Sequence, residues 1–241
     1  MPVEQNERQA FLDSLKENNY TLFGDVDELE IPAPDDASMP SAMSSAPAFT
    51  TAQVEGPSHE VETIRHGTPD VPIEVDGNEI DPTEISQYDG QPLYSTVQST
   101  GEQGRSKLVS FTNPVRAAEF VQNTAEGPDD IGPGLFASHI SPSCTASFYS
   151  STFFRGKEME LDYRHVAWDL REWRLRGFLW WTRESWDNEI SSLITTCRGV
   201  TLYALPGWRG SQLHFRPRSV VLSLGHFGWN NRASSIKTTY R

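Results

Sequence analysis

Trp186-Asp187-Asn188-Glu189-Ile190-Ser191-Ser192 is the stretch that decides the fold, because the chain repeats it as Trp229-Asn230-Asn231-Arg232-Ala233-Ser234-Ser235. Both copies read W-[D/N]-N-x-x-S-S. A second phrase, aromatic-x4-aromatic-x-Gly, precedes each copy, as Tyr149, Phe154 and Gly156 and then as Tyr203, Trp208 and Gly210. Two phrases repeated in the same order indicate that one structural unit is built twice over residues 143–241.

The segments around these phrases have the length and pattern of β-strands. Short alternating or β-branched runs, separated by turns, occupy residues 146–149, 158–163, 199–203, 211–215 and 219–224. Such a series is typical of an all-β sandwich. The exception is residues 166–181, where Val166, Leu170 and Trp173 have helical spacing and predict a short helix inside the first copy.

Charge and composition divide the chain of 241 residues into two parts. Residues 1–142 hold 25 acidic and 6 basic side chains, residues 143–241 hold 8 and 14, and the net charge is −13. All seven Trp lie in the second part and 14 of the 16 Pro in the first. A Pro-rich acidic segment with few large apolar residues does not offset its ordering entropy. We therefore predict a mostly disordered acidic region over residues 1–90 and a compact domain over 143–241.

Some parts of the N-terminal region carry a structural pattern of their own. Residues 5–18 predict a short amphipathic helix. Two strands around residues 92–97 and 107–111, followed by a helix after Asn113-Pro114, predict a small ββα unit over 91–125. The Gly- and Pro-rich residues 126–142 predict a linker. The acidic residues 70–90 lack the ligand order of an EF-hand and are interpreted as a solvated, flexible strip.

Composition and motifs exclude several classes of function. A net charge of −13 argues against nucleic acid as a partner, although the C-terminal part alone is mildly basic, which suggests an intramolecular contact with the acidic arm. No stretch is long and apolar enough for a membrane span, and no basic, apolar leader opens the chain. Cytoplasmic location is the default prediction, with non-standard export left open. No nucleophile elbow, phosphate loop or dinucleotide fingerprint occurs, so we predict no enzyme.

The two cysteines occupy corresponding places in the two copies. Cys144 lies five residues before Tyr149, and Cys197 lies six residues before Tyr203. This placement suggests that they are neighbours in the fold. A disulfide requires an oxidising compartment, so the prediction for a cytoplasmic chain is two reduced thiols.

Residues 143–241, with both repeated phrases, resemble the two Greek-key motifs of a βγ-crystallin domain. The microbial, calcium-binding branch of that family carries [N/D]-[N/D]-x-x-[S/T]-S once per motif. The resemblance covers none of the acidic arm, and it implies a two-sheet sandwich that binds up to two calcium ions. The residues themselves agree, because calcium takes six to eight oxygen ligands and these loops supply carboxylate, carbonyl and hydroxyl oxygens.

The resemblance also implies a role for each position of the loops. Ser191 and Ser234 would coordinate calcium through their hydroxyls, and Glu189 and Arg232 through their backbone carbonyls. Other loop residues would shape the backbone, namely Asp187, Asn188, Asn230 and Asn231. The last serines, Ser192 and Ser235, would instead hydrogen-bond to the folded hairpins.

Each calcium site would be completed by the hairpin of the opposite copy, with Ser150 serving the second loop and Ala204 the first. Many relatives have an acidic residue at these two positions. Ala204 offers only its carbonyl, and Arg232 places a cation near the second ion, which repels it. We therefore expect micromolar or weaker binding at up to two sites, and whether one of the two is inactive stays open.

The sequence thus predicts a non-enzymatic calcium-binding protein whose fold is stiffened by the metal, with a stress or structural role. The alternative is a protease inhibitor or an antimicrobial, toxin-like protein on the same scaffold, masked by the acidic arm. A third interpretation is that the two loops are only polar turns that finish the Greek keys.

Overall fold

The computed structural model describes residues 2–24, 64–100, 105–124, 144–162, 166–175 and 184–238. Residues 25–63 of the predicted disordered region and the whole predicted linker lie outside this set. The elements are α1 (Pro2–Glu17), β1 (Thr21–Phe23), β2 (Ile73–Val75), β3 (Asn78–Ile80), β4 (Tyr94–Ser99), β5 (Ser106–Phe111), α2 (Pro114–Asn123), β6 (Thr145–Tyr149), β7 (Glu158–Asp162), β8 (Ser192–Thr195), β9 (Val200–Leu205), β10 (Arg209–Phe215), β11 (Ser219–Val221) and β12 (Ser235–Thr238). Neither helix in the described part of the chain has the length and apolar character needed to cross a bilayer.

The described strands form two sheets, and the chain is mostly β, as predicted. The first sheet has the order β1-β11-β8-β6-β7, and the second has the order β12-β9-β10-β4-β5-β2-β3. One apolar core joins them, with fully buried side chains from the first sheet, such as Phe148 and Leu193, and from the second, such as Leu202 and Phe215. The two sheets therefore pack face to face as a sandwich.

The two copies of the repeat exchange one segment each between the sheets. β6 pairs with β7 and β8 in the first sheet, while β9 pairs with β10 and β12 in the second. The remaining segment of the second copy, β11, crosses to pair with β8, and Ala167 of the first copy crosses to bridge Ile236 of β12. This exchange gives each copy a Greek-key path.

The aromatic-x4-aromatic-x-Gly phrase folds both hairpins in the same way. The second aromatic has a positive φ in both copies, 59° at Phe154 and 58° at Trp208. The glycine follows with φ of 83° at Gly156 and 77° at Gly210. A Cβ at Gly156 would lie 2.5 Å from Ser150 Oγ, so this turn requires a residue without a side chain.

Residues 73–80 are ordered, so their interpretation as a solvated, flexible strip is wrong. They form β2 and β3, and Ile73 and Val75 are each only 1% exposed. These two side chains alternate with a charged residue and face the core, which is the pattern of a half-buried strand. The predicted ββα elements are present as β4, β5 and α2, and β4 extends the second sheet by pairing in parallel with β10.

The N-terminal segment is also built into the first sheet. β1 pairs in parallel with β11, with Leu22 opposite Val220. Phe23 is buried in the core, and its ring centroid lies 6.3 Å from those of both Phe215 and Phe227. Contact between the acidic arm and the basic part of the chain is therefore made by strand pairing and apolar packing.

The short helix predicted over residues 166–181 is wrong for the part that the structure describes, residues 166–175. Ala167 exchanges backbone hydrogen bonds with Ile236, and a single 3-10 turn follows at Leu170–Glu172. Pairing with β12 holds the backbone extended at Ala167, which overrides the helical spacing of the apolar side chains.

Cys144 and Cys197 form a disulfide, with their Cα atoms 5.3 Å apart. Their predicted proximity is confirmed, and the predicted pair of reduced thiols is wrong. The cause of the proximity is the antiparallel pairing of β6 and β8, which places Ala146 opposite Thr195 and brings the adjoining strand ends together. The cytoplasmic location stays a prediction.

Replacing both cysteines, as Cys144→Ser with Cys197→Ser, is expected to lower the free energy of unfolding by about 2–4 kcal/mol, because the bond closes a long loop in the unfolded chain. Urea unfolding of the full chain measures this difference. A reductant should destabilise the parent by a similar amount and leave the double variant unchanged. Equal stability of the parent with and without reductant would contradict the disulfide.

The buried His214 side chain is expected to make the stability of the protein depend on pH. Burial, assisted by the nearby Arg216 charge, lowers the pKa of His214 to about 4. The unfolded chain takes up this proton near the ordinary pKa of about 6.5, so it binds more protons than the folded chain between these values. Stability contributed by the neutral imidazole is complete above pH 6.5 and is lost as the pH falls towards 4.

Between pH 6.5 and about 4 the free energy of unfolding is expected to fall by an amount of order 3 kcal/mol, since one pKa unit corresponds to about 1.4 kcal/mol. Chemical unfolding of the full chain at pH 4.5, 5.5, 6.5 and 7.5 measures it. His214→Gln should give a shallower dependence than the parent between about pH 4 and 6.5. Parallel curves for the parent and the variant would show that His214 is not the group responsible.

Candidate metal site at the paired loops

The two loops, Trp186–Ser192 and Trp229–Ser235, lie side by side and are joined by a reciprocal pair of backbone hydrogen bonds. The Asn188 N–H donates to the Ala233 carbonyl at 2.9 Å, and the Asn231 N–H donates to the Ile190 carbonyl at 3.1 Å. Asn188 and Asn231 have φ values of 58° and 54°. Asparagine tolerates this left-handed conformation better than most residues, which explains why both loops carry it at the second position.

Buried anchors hold each loop at both ends. Trp186 and Trp229, which directly precede the first numbered position of each loop (Asp187 and Asn230), are both 4% exposed. At the fifth position, the Ser191 carbonyl accepts from the Leu224 N–H at 2.7 Å, and the Ser234 carbonyl accepts from the Leu170 N–H at 2.9 Å. These two carbonyls are occupied, so the metal-binding capacity of the fifth residues lies in their hydroxyls.

The last serine of each loop ties the folded hairpin of its own copy, as predicted. Ser192 Oγ donates to the Ser151 carbonyl at 2.7 Å and accepts from the Phe154 N–H at 3.1 Å. Ser235 Oγ makes the equivalent bonds to the Leu205 carbonyl and the Trp208 N–H, at the same two distances. Each serine therefore satisfies one donor and one acceptor of a tight turn.

Two oxygen atoms from other segments lie beside the Ser191 hydroxyl. Ser191 Oγ lies 3.0 Å from Asn231 Oδ1 and 3.3 Å from the Ser150 carbonyl oxygen. The Ser150 carbonyl thus contacts Ser191 of the first loop, and Asn231 joins this cluster to the second loop, the loop to which the sequence analysis assigned Ser150. Ser191, assigned to the first loop's ion, lies at this same cluster. A serine hydroxyl donates one hydrogen bond at a time and keeps lone pairs that a cation can use.

Several other oxygen atoms of the loops have no hydrogen-bond donor. Within the described ranges, none is hydrogen-bonded to the carbonyl oxygens of Glu189 and Arg232 or to the hydroxyl of Ser234. Asp187 Oδ1 is buried and has no hydrogen-bond partner in that same part of the chain. A buried, unpaired carboxylate oxygen is costly. A cation bound between the loops would compensate that cost.

The donor set fits a hard cation with few anionic ligands. The part of the chain that the structure describes has no group of three or more His, Cys, Asp and Glu side chains placed to hold a metal. The available ligands are instead hydroxyls, carbonyls, amide oxygens and the Asp187 carboxylate, which suit calcium better than zinc. The few anionic ligands favour modest affinity.

The other predicted positions differ in how far their side chains are buried. The side chains of Asn188, Glu189 and Asn230 are exposed. Ala204 is half-buried after Tyr203, whose carbonyl accepts from the Ser234 N–H at 2.8 Å. The ligand roles of all these residues stay predictions.

Arg232 has partners that the sequence analysis missed. Its Nη1 donates to the Gly228 carbonyl at 2.9 Å, its Nη2 donates to the Arg65 carbonyl, and its guanidinium lies 5.5 Å from the Trp229 ring centroid. Burial lowers the pKa of Arg232, while the nearby Asp89 carboxylate acts in the opposite direction. No sequence signal links Arg65 to this loop, because the contact spans 167 positions.

The chain is similar in structure to βγ-crystallin domains over about 40% of its length. Part of this chain has a βγ-crystallin-like fold. A βγ-crystallin from Ciona intestinalis is 21% identical, with 39% of this chain and 99% of that chain covered and a TM-score of 0.31. A βγ-crystallin from an archaeon is 15% identical, with 40% and 99% covered and a TM-score of 0.32.

A βγ-crystallin domain from Clostridium beijerinckii is 16% identical, with 39% of this chain and 95% of that chain covered and a TM-score of 0.30. No protein-family model matches the chain, and no curated protein matches it. At these identities and TM-scores the similarity does not extend to what the chain binds.

Ser192→Ala and Ser235→Ala are each expected to lower the free energy of unfolding by about 1–3 kcal/mol, because each leaves a hairpin N–H and carbonyl unpaired. Urea unfolding of the full chain in the presence of a calcium chelator measures the effect without any contribution from metal. The exposed Ser86→Ala serves as a control and should stay within about 0.5 kcal/mol of the parent. Unchanged stability in both hairpin variants would contradict the assigned hydrogen bonds.

Proposed function

We propose that this chain is a non-enzymatic, calcium-binding βγ-crystallin-like protein in which residues 143–241 form the two Greek keys. The observation that carries the proposal is the reciprocal pairing of two like loops whose third-position carbonyls have no donor within the described ranges. An ion held there would receive oxygen ligands from both copies of the repeat.

Each loop would contribute ligands of the same kind. We assign the Ser191 and Ser234 hydroxyls and the Glu189 and Arg232 carbonyls as ligands. Support comes from the cluster of Ser191 Oγ with Asn231 Oδ1 and the Ser150 carbonyl, and from the buried Asp187 Oδ1 atom. Up to two ions would bind, with micromolar or weaker affinity because most of these ligands are neutral.

The ion would stabilise the folded chain by mass action. Calcium that binds the folded state alone adds RT ln(1 + [Ca²⁺]/Kd), which is about 2.7 kcal/mol at a hundred times Kd. We propose a role in stress survival or in a structural assembly, which such stabilisation would serve, and the absence of enzymatic activity stays a prediction.

The alternative function, an inhibitor or toxin masked by a removable acidic arm, receives less support. The segment that would be removed supplies β1, β4 and the core residue Phe23. Removing it would expose the edges of both sheets and open a cavity in the core, which costs several kcal/mol. A removable cover should leave the covered domain stable, whereas loss of the β1, β4 and Phe23 contacts would destabilise it.

Calcium titration of the full chain, by calorimetry and by thermal melting, tests the proposal. Saturating calcium should raise the melting temperature of the parent by several degrees, since about 2.7 kcal/mol is available at a hundred times Kd. Ser191→Ala combined with Ser234→Ala should bind with at least a tenfold weaker Kd and lose most of the shift, because each hydroxyl ligand is removed.

The neighbouring serines provide the matched control. Ser192→Ala and Ser235→Ala remove hydroxyls one position away that bind hairpins, so these variants should melt at a lower temperature and keep the calcium-dependent shift. If the parent gives no heat of binding and no shift in melting temperature at millimolar calcium, the proposal is wrong. A shift that survives the combined Ser191→Ala and Ser234→Ala change would reject the assigned ligands.

A further inference from the structure

A crossing segment, residues 64–70, lies against the turn that leads into the second loop and against Arg232 of that loop. Gly67 and Gly228 meet backbone to backbone: a Cβ at Gly67 would lie 2.3 Å from the Gly228 carbonyl oxygen. The Asp70 N–H donates to the His226 carbonyl at 2.8 Å. The crossing segment therefore rests directly on the turn that leads into the second loop.

The crossing segment is tied in turn to the residues that precede β4. The Gly90 N–H donates to the Ile64 carbonyl at 2.8 Å, and the His66 N–H donates to Asp89 Oδ1 at 2.8 Å. His66 Nε2 also lies 3.0 Å from the Gln91 carbonyl oxygen. A continuous set of contacts thus runs from the second loop to the added strands of the second sheet.

Arg232 connects this set of contacts to the second loop. Its guanidinium bridges the Gly228 carbonyl, just before the loop, and the Arg65 carbonyl of the crossing segment. The planar, forked guanidinium suits two acceptors held in fixed places. Its own backbone carbonyl is the third-position oxygen that we assign to the metal, so one residue faces both the crossing segment and the ion.

Among the described residues, the first loop has no such link. Glu189, the equivalent third residue, is exposed, and its side chain makes no hydrogen bond or ion pair within the described ranges. The two loops therefore share their backbone geometry and differ in how the third residue is attached to the rest of the chain.

We propose that Arg232 is a positioning residue that couples cation binding at the second loop to docking of the crossing segment. This inference rests on the proposed calcium function. With the crossing segment docked, the guanidinium is held on the Arg65 and Gly228 carbonyls and its donors are engaged there. When the segment undocks, one acceptor is lost, and the freed cation competes with calcium.

Coupling of this kind is reciprocal, so calcium must favour docking by the same factor by which docking favours calcium. Hydrogen exchange of the full chain, measured by mass spectrometry over a calcium titration, reads both effects. In the parent, calcium should slow exchange at both loops, at residues 64–70 and at 88–91. Arg232→Lys keeps the positive charge but lacks the forked guanidinium. In this variant calcium should still slow hydrogen exchange at the loops but no longer at residues 64–70.

Two further variants separate coupling from a merely structural role. Glu189→Gln changes the equivalent position of the first loop and should behave as the parent does at 64–70. Gly67→Ala places a Cβ against the Gly228 carbonyl and should raise the calcium concentration for half-maximal protection of residues 230–235 by about fivefold or more. The same concentration for residues 187–192 should change by less than about twofold if that loop is uncoupled.

The outcomes distinguish the two proposals. If calcium slows exchange at neither loop of the parent, the calcium function fails and the coupling fails with it. If calcium protects the loops but not residues 64–70, the coupling alone is overturned. Calcium-dependent protection of 64–70 that persists in Arg232→Lys, or an unchanged titration in Gly67→Ala, overturns the coupling as well. Exchange in β6 and β8, which should match the parent, verifies that each variant is folded.

Discussion

The reciprocal hydrogen bonds between the two loops are the constraint on which the rest of the structure depends. The amide of Asn188 is satisfied by Ala233 of the other copy, and that of Asn231 is satisfied by Ile190. A single Greek key would leave these groups, and the strand sent to the opposite sheet, without partners. The two copies therefore depend on each other, because neither copy alone supplies hydrogen-bond partners for all of its backbone groups. It also brings oxygen atoms of both copies to one place.

The folding unit extends beyond the repeat. Without the N-terminal region, β10 and β11 would be exposed sheet edges, and such edges favour aggregation. β4 and β1 cover them by parallel pairing, and Phe23 fills part of the core next to Phe215. Because these contacts bury apolar surface and satisfy backbone groups together, the stability of the repeat depends on residues more than a hundred positions earlier.

The sequence predicted those parts of the fold that local chemistry specifies. Alternating or β-branched runs predicted β6, β7, β9, β10 and β11, and the repeated phrases predicted the two folded hairpins, with a glycine at positive φ and a serine that binds each hairpin. β1, β2 and β3 were not predicted, because each is short, and because β1 pairs with β11 and β2 with β5, which lie far from them in sequence. Averaging composition over residues 1–142 hid the buried Phe23, Ile73 and Val75. The convergence of Ser150, Ser191 and Asn231 was only partly predictable, since it depends on how the copies face each other.

The third loop position shows how two loops of similar sequence differ in local charge. Its backbone carbonyl can serve a cation whatever the side chain is, but the side chain sets the local charge. Glu189 is exposed and anionic, and an anion near a bound divalent ion lowers the free energy of the bound state. Arg232 has the opposite sign, so its effect depends on where the guanidinium is held. Because the Arg65 carbonyl helps the Gly228 carbonyl to hold it, with Asp89 nearby, the electrostatic cost of the proposed ion at the second loop would depend in part on a segment outside the repeat. Two loops that are nearly equivalent in backbone should therefore differ in affinity for a reason that only the tertiary structure contains.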